Sequence, residues 1–135
     1  AAERADVEFL GPLDRAGVAA ALRATAVVIA VPTWHDVLPT VVIEALAAGR
    51  PVLGTALGGI PYLIGADEPA ASSPAAGWLV PPDPAALAAM LPTARDRAAV
   101  LAPHARARYE RTFHPDVVTG QLLDIYATMR ASART

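Results

Sequence analysis

The 135-residue sequence contains no cysteine, which excludes disulfide bridges and thiolate metal sites within it. It contains no lysine either, and its 11 arginines are scattered rather than clustered. With a net charge of −2 it lacks the basic patch of a general nucleic-acid binder, so we expect no nucleic-acid partner. No apolar run reaches the ~18 residues of a membrane-spanning helix, and residues 1–6 carry mixed charges unlike a signal peptide. These absences favour a cytoplasmic protein.

What the sequence has in excess is apolar residues. The hydrophobic fraction is 54% and the mean hydropathy is +0.37, both high for a single water-exposed domain. The length corresponds to one domain or part of one. We therefore expect a substantial core and some apolar faces that the chain alone does not cover.

Strand and helix signals alternate through the first two-thirds of the chain and give way to helices. The pattern predicts strands at 7–10, 26–31, 51–55 and 77–80, and helices at 14–24, 40–48, 84–91, 93–110 and 116–131. It also predicts a turn at 58–61 that leads into a short helix through Ile64. Residues 65–76 are rich in Ala, Ser and Pro and predict a loop, and Pro92, Pro103 and Pro115 predict breaks or kinks. This order predicts an α/β fold, a Rossmann-like parallel sheet with flanking helices, in which residues 1–83 form the β/α part and residues 84–135 the C-terminal helices.

Glu44 is the only charged residue in the run 40–48, which Pro39 and Gly49 bracket as a helix start and stop. Apart from Thr40 and Glu44 this run is apolar all round, which predicts a helix buried on most sides. An unpaired carboxylate there would cost several kcal/mol or more, so Glu44 needs partners. A second carboxylate, Asp36, lies just before the helix. Two acids bracketing a helix start point to a ligand that carries hydroxyls.

The predicted topology places these acids at one edge of the sheet. Loops that follow parallel strands meet at the carboxyl edge, and a helical side chain leans towards its helix N-terminus, so Glu44 points to that edge. The helix start offers free N–H groups and a positive dipole end to an anion, and Gly58-Gly59 allows close backbone approach. Phosphate on backbone donors with hydroxyls on carboxylates describes a nucleotide-sugar.

Simpler roles remain open for each of these residues. Glu44 could pair with Arg23 or Arg50, Asp36 could cap the following helix, and Gly58-Gly59 could be an ordinary turn. The histidines His35, His104 and His114 have no metal-ligand spacing, and we interpret His35 as a non-catalytic contact rather than a general base. We interpret Trp34 and Trp78 as packing residues at strand ends in preference to sugar-stacking platforms.

The segment 27–61, VVIAVPTWHDVLPTVVIEALAAGRPVLGTALGGIP, resembles the donor-site region of retaining GT-B glycosyltransferases of the glycogen-synthase-like group. The hallmark of that group is two acids separated by seven residues, then a small-residue strand and Gly-Gly. Asp36 and Glu44 stand at this separation, and Gly49, Pro51-Val52 and Gly58-Gly59 are in step. Flanking matches extend the resemblance over nearly the whole chain: Phe9-Leu10-Gly11, Gly77-Trp78-Leu79-Val80, Asp83 and Tyr126.

The resemblance implies that the parent protein moves a sugar from a nucleoside diphosphate sugar to an acceptor hydroxyl. Residues 1–135 would be a partial C-terminal donor-binding domain. The implied roles are ribose binding by Glu44, a sugar-facing acid at Asp36, sugar and diphosphate contacts at Val37, Leu38, Pro39 and Thr40, and phosphate contacts at Gly58 and Gly59. The resemblance implies no metal and no further cofactor. It leaves open a peripheral membrane association of the parent enzyme.

The sequence also departs from the pattern of this group. Asp36 stands where Glu is usual, and Tyr62 where Glu often follows Gly-Gly-x-Pro. Two strands that carry phosphate-binding Arg and Lys would precede residues 7–11, and an acceptor-binding half would precede those. We therefore expect the isolated chain to have no turnover, and to associate with the missing half or with copies of itself. The alternatives are a non-catalytic nucleotide-sugar-binding or assembly fragment and, less favoured by the acid spacing, a GT-B epimerase.

Overall fold

The computed structural model describes residues 7–69 and 74–132. Three strands form a parallel sheet in the order β1 (Val28–Ala30), β2 (Val52–Thr55), β3 (Gly77–Val80). Val28 lies opposite Val52, which in turn lies opposite Gly77. All four residues of β2 are buried, as the apolar run of a central parallel strand requires. The predicted parallel α/β sheet is confirmed.

Three helices alternate with the strands. They are α1 (Arg15–Ala24), α2 (Thr40–Ala47) and α3 (Ile60–Ile64). Asp14 caps α1, its Oδ1 accepting from the Gly17 N–H at 2.7 Å. Gly49 follows α2 with a φ of +69°, the left-handed conformation that ends helices. These caps place α1 and α2 where the sequence predicts them.

The core has one cluster on each face of the sheet. On one face α2 and α3 bury aliphatic side chains against the strands, namely Val42, Ala45, Leu46, Ile60, Leu63 and Ile64. On the other, Leu53 and Val80 pack with Ala94, and Trp78 lies against this cluster. The packing role predicted for Trp78 is confirmed.

The C-terminal helices differ from the prediction in one respect. Helix α4 (Pro84–Thr112) runs without a break through Pro92 and Pro103, and α5 (Pro115–Ser132) begins at the third proline. Pro92, Pro103 and the residues four positions before them, Ala88 and Ala99, are all exposed. The carbonyls that the prolines leave without a helical donor can therefore bind water. Burial of alanines on the opposite side holds the helix together.

Residues 7–10 form no strand, so this prediction is wrong. Phe9 is 93% exposed, and no described strand lies beside the segment or along the outer edge of β1. A strand forms when its N–H and C=O groups find a neighbour. The loop predicted at 65–76 lies outside helices and strands where it is described, while its residues 70–73 and the termini 1–6 and 133–135 lie outside the described residues.

Three arginines close the helix ends at the edge opposite the strand C-termini. Arg50 donates to the carbonyl of Arg23 at the end of α1, at 2.6 Å. Arg106 donates to Ala47 at the end of α2, and Arg108 to the last turn of α3. Cations there also meet the negative end of each helix dipole. The scattered arginines do not reveal these contacts in the sequence, because their partners lie far away along the chain.

Candidate functional site

The loops that follow β1 and β2 are bonded directly to each other. The Gly59 N–H donates to the Asp36 carbonyl at 2.9 Å, and the Gly58 N–H donates to Nδ1 of His35 at 3.3 Å. Deeper in the sheet, Oγ1 of buried Thr55 donates to the Pro32 carbonyl at 3.0 Å. We call residues 31–39 the acid loop and residues 56–59 the glycine turn. The structure thus brings Asp36, Gly58 and Gly59 together.

Both glycines are required by this contact. A Cβ at Gly58 would lie 2.1 Å from the Asp36 carbonyl oxygen, and Gly58 has a φ of +56°. A Cβ at Gly59 would lie 2.0 Å from the Val37 carbonyl oxygen. The sequence predicts that these two glycines approach a ligand closely. In the structure they approach the backbone of the acid loop instead. Since both N–H groups already donate within the protein, phosphate contacts at these glycines stay a prediction.

Asp36 is half-buried and holds its own loop in shape. Its Oδ1 accepts from the Leu38 N–H at 3.1 Å, an Asx-type turn. Pro39 is the N-cap of α2, and no side chain bonds that end. Asp36 therefore shapes the approach to α2 without capping it. Its second oxygen, Oδ2, accepts from none of the described residues.

The start of α2 is open to solvent beside Asp36. Val37 is 83% exposed, and Leu38, Thr40 and Val41 are also exposed. The Val42 N–H is taken by the Pro39 carbonyl at 3.0 Å. The first N–H groups of a helix have no acceptor within it, which leaves those of Thr40 and Val41 for a ligand. Sequence reasoning missed Val41, although its place in the first turn was the available signal.

Glu44 is exposed, so the predicted burial of this residue is wrong. α2 buries Val42, Ala45 and Leu46, which leaves Glu44 facing a groove between α1 and α2. Among the described residues it pairs with neither Arg23 nor Arg50; the Arg50 guanidinium donates to the Arg23 carbonyl instead. An apolar composition shows that a helix packs, but not which side faces the sheet.

Two cavities are relevant to the predicted site, and one of them is lined in part by the acid loop. The groove at Glu44 has a volume of about 680 Å³ and is lined by Leu13, Arg15, Val18 and Arg106, among others. A smaller cavity of about 140 Å³ lies at the ends of the three strands, between Val31, Thr55 and Val80. Glu44 lines the groove, whereas Asp36 lines neither of these two cavities.

The remaining candidates lie apart from this edge or are exposed. Trp34 is 65% exposed, so its predicted packing role is wrong. Nδ1 of His114 lies 3.6 Å from Asp116 in the C-terminal helices. Within residues 7–69 and 74–132, no group of three His, Cys, Asp or Glu side chains is arranged for a metal ion. Nor does any helix described here have the length and apolar character to traverse a bilayer.

Comparisons with known proteins agree with this architecture. The model of the family described as "Glycosyl transferases group 1" matches residues 1–94. The D-inositol 3-phosphate glycosyltransferase of Streptomyces avermitilis is 34% identical over 132 residues, which is 95% of this chain and 27% of that protein. The structure of sucrose-phosphate synthase from Thermosynechococcus elongatus superposes with a TM-score of 0.73 at 28% identity, covering 93% of this chain and 30% of that one.

The fold and its relatives define a Rossmann-like domain of the GT-B glycosyltransferase class. This chain belongs to the glycosyl transferases group 1 family. It spans about a quarter of the length of the inositol phosphate glycosyltransferase that it matches.

Proposed function

We propose that this chain is the donor-binding part of a retaining glycosyltransferase, which moves a sugar from a nucleoside diphosphate sugar to an acceptor hydroxyl. The observation that carries the proposal is the acid loop. It places an Asp36 carboxylate with one unbonded oxygen directly before the solvent-open start of α2. The family match and the GT-B fold support a glycosyltransferase parent.

The geometry of α2 supports an order of contacts along the donor. Thr40 and Glu44 are four residues apart, on the same side of the helix and about 6 Å apart along its axis. A diphosphate on the N–H groups of Thr40 and Val41 would leave the ribose hydroxyls near Glu44 and the sugar near Asp36 Oδ2. The positive end of the α2 dipole favours the leaving diphosphate. Val37, Leu38 and Pro39 line this path, and no metal or further cofactor is part of the proposal.

Catalysis in this proposal comes from orientation and electrostatic support of an oxocarbenium-like transition state. Asp36 stabilises the positive charge that develops on the sugar. The acceptor would be bound by a part of the parent enzyme beyond the matched domain, since the matched relatives are three to four times longer than the region they share with this chain.

A second candidate is a nucleotide-sugar-binding fragment that has no turnover alone. It is favoured by the placement of the two acids, since Glu44 lines the groove between α1 and α2 and Asp36 does not. Hydrolysis of the donor by the isolated chain would argue against this candidate. No feature of the site favours the epimerase.

Glu44→Gln is expected to weaken donor binding at least tenfold, because a charge-assisted hydrogen bond contributes roughly 1.5–3 kcal/mol. The measurement is ligand-observed NMR of the chain with UDP-, GDP- and ADP-glucose. The control is Asp96→Asn, which removes an exposed carboxylate on α4 whose ion-pair partner among the described residues is Arg95. Binding to one nucleotide that Glu44→Gln weakens and Asp96→Asn does not would support the site. No binding to any of the three would contradict a donor site in this chain.

Self-association of the isolated chain is expected from the outer edge of β1, which no strand among the described residues covers. Ile29 in this strand is 48% exposed. In sedimentation velocity the apparent mass should rise with concentration, and Ile29→Lys should lower it, because an edge lysine opposes strand pairing. A constant mass of 13.9 kDa over the whole range would contradict this expectation.

A further inference from the structure

The acid loop and the glycine turn are joined by a hydrogen bond that depends on the protonation of one side chain. The Gly58 N–H donates to Nδ1 of His35 across 3.3 Å. An imidazole nitrogen accepts a hydrogen bond only when it carries no proton, so the bond requires the neutral ring with its hydrogen on Nε2. In the imidazolium form both ring nitrogens are donors, and two N–H groups would then face each other.

This bond lies where a small displacement matters. Gly58 packs so closely that a Cβ would lie 2.1 Å from the Asp36 carbonyl oxygen, and the next residue bonds that same carbonyl. His35 directly precedes Asp36, whose carboxylate oxygen Oδ1 fixes the Leu38 N–H. The imidazole is thus one hydrogen bond from the glycine turn and one residue from the carboxylate.

We propose that His35 is a positioning residue whose neutral imidazole holds the glycine turn on the acid loop, and whose protonation loosens Asp36 and weakens donor binding. This inference rests on the proposed function, since it takes Asp36 and the start of α2 as the donor site.

The other titratable groups near His35 are few. Asp36 lies on the same loop, the glycine turn carries none, α3 carries Tyr62 and α2 carries Glu44. Within the described parts of the chain no carboxylate forms an ion pair with the imidazole. The hydrogen bond from Gly58 is thus the interaction of His35 that protonation would change directly.

Two variants distinguish the effect of the hydrogen-bond acceptor at position 35 from the effect of a charge on the side chain. In His35→Asn the amide Oδ1 takes a place close to that of Nδ1 and accepts a hydrogen bond at every pH, whereas His35→Leu removes the acceptor. The probe is the nucleoside diphosphate glucose that the wild-type chain binds, titrated by NMR between pH 5.5 and pH 8. The affinity of the wild type for this probe should fall by about fivefold or more as the pH is lowered from 8 to 5.5, which corresponds to the loss of one hydrogen bond. His35→Asn should stay close to the pH 8 wild-type value throughout, and His35→Leu about fivefold weaker throughout.

A second readout needs no donor. In two-dimensional ¹H–¹⁵N spectra the Gly58 amide signal of the wild type should move with the titration of the His35 ring, and the signal of His35→Asn should not. The same spectra show whether His35→Leu is folded. A Gly58 signal that ignores pH, or an acid-induced loss of affinity that persists in His35→Asn, would overturn the proposal. If no donor binds while Gly58 follows the ring, the hydrogen bond stands and it is the proposed donor site that fails.

Discussion

Gly59→Ala is expected to lower the free energy of unfolding by about 3 kcal/mol or more, the upper range for a forced steric overlap. Its Cβ would lie 2.0 Å from the carbonyl oxygen of Val37 and 3.0 Å from the carbonyl carbon. Both neighbours are backbone atoms, which cannot rotate away as a side chain can. The acid loop and the glycine turn would have to separate. The bond from the Gly59 N–H to the Asp36 carbonyl would then be lost, and the Leu63 N–H bond to the Gly59 carbonyl would be disturbed.

Gly120→Ala is the matched control. Gly120 lies within α5, and an added Cβ there would meet no atom within 4 Å. Since alanine is favoured over glycine within a helix by about 1 kcal/mol, this variant should be as stable as the wild type or slightly more so. Urea unfolding followed by circular dichroism measures both. Equal midpoints for Gly59→Ala and wild type would show that the two loops do not touch as described.

Arg108→Met is expected to destabilise the chain by about 3 kcal/mol, because a methionine fills the space but donates nothing. Arg108 is 4% exposed and bonds the carbonyls of Tyr62 at 2.7 Å and Leu63 at 3.2 Å, together with the carboxylate of Glu68. Its guanidinium also lies over the rings of Tyr62 and Phe113, at 5.7 and 5.6 Å from their centroids. Removing it takes away the donor to the Leu63 carbonyl and leaves the Tyr62 carbonyl with the Gly65 N–H alone among the described residues.

Arg95→Met provides the comparison on the same helix. Arg95 has a side chain that is 76% exposed, and its ion-pair partner within the described part of the chain is its neighbour Asp96. Exposed pairs contribute little, so its loss should change stability by no more than about 0.5 kcal/mol. If the two arginine variants unfold at the same urea concentration, Arg108 does not tie α4 to α3.

The sequence predicts the sheet and its helices because their signals are local. The β-branched run before Pro32 and the bracketing of α2 by Pro39 and Gly49 need no distant partner. The strand at 7–10 fails for the opposite reason, since a strand depends on a neighbour that the described chain does not supply. The break predicted at Pro92 fails because a proline on the exposed side of a packed helix leaves its freed carbonyl to water.

The sequence predicts which residues belong to the candidate site better than it predicts how they are arranged. Topology alone places Asp36 and Gly58 at one edge of the sheet, and they do meet there. The exposure of Glu44 was not predictable, since it depends on which side of α2 faces the strands. His35 and Gly58 are 23 residues apart, and the hydrogen bond between them forms because two loops come into contact. Neither residue type indicates this contact in the sequence.

The measurement that tests the central claim most directly is a map of backbone amide shifts in the wild-type chain as a nucleoside diphosphate sugar is added. The account predicts that the largest shifts fall on the free N–H groups at the start of α2, Thr40 and Val41, with smaller ones at Leu38 and Glu44. Shifts confined to the cavity at the strand ends, around Val80 and Leu87, with α2 unchanged, would contradict it.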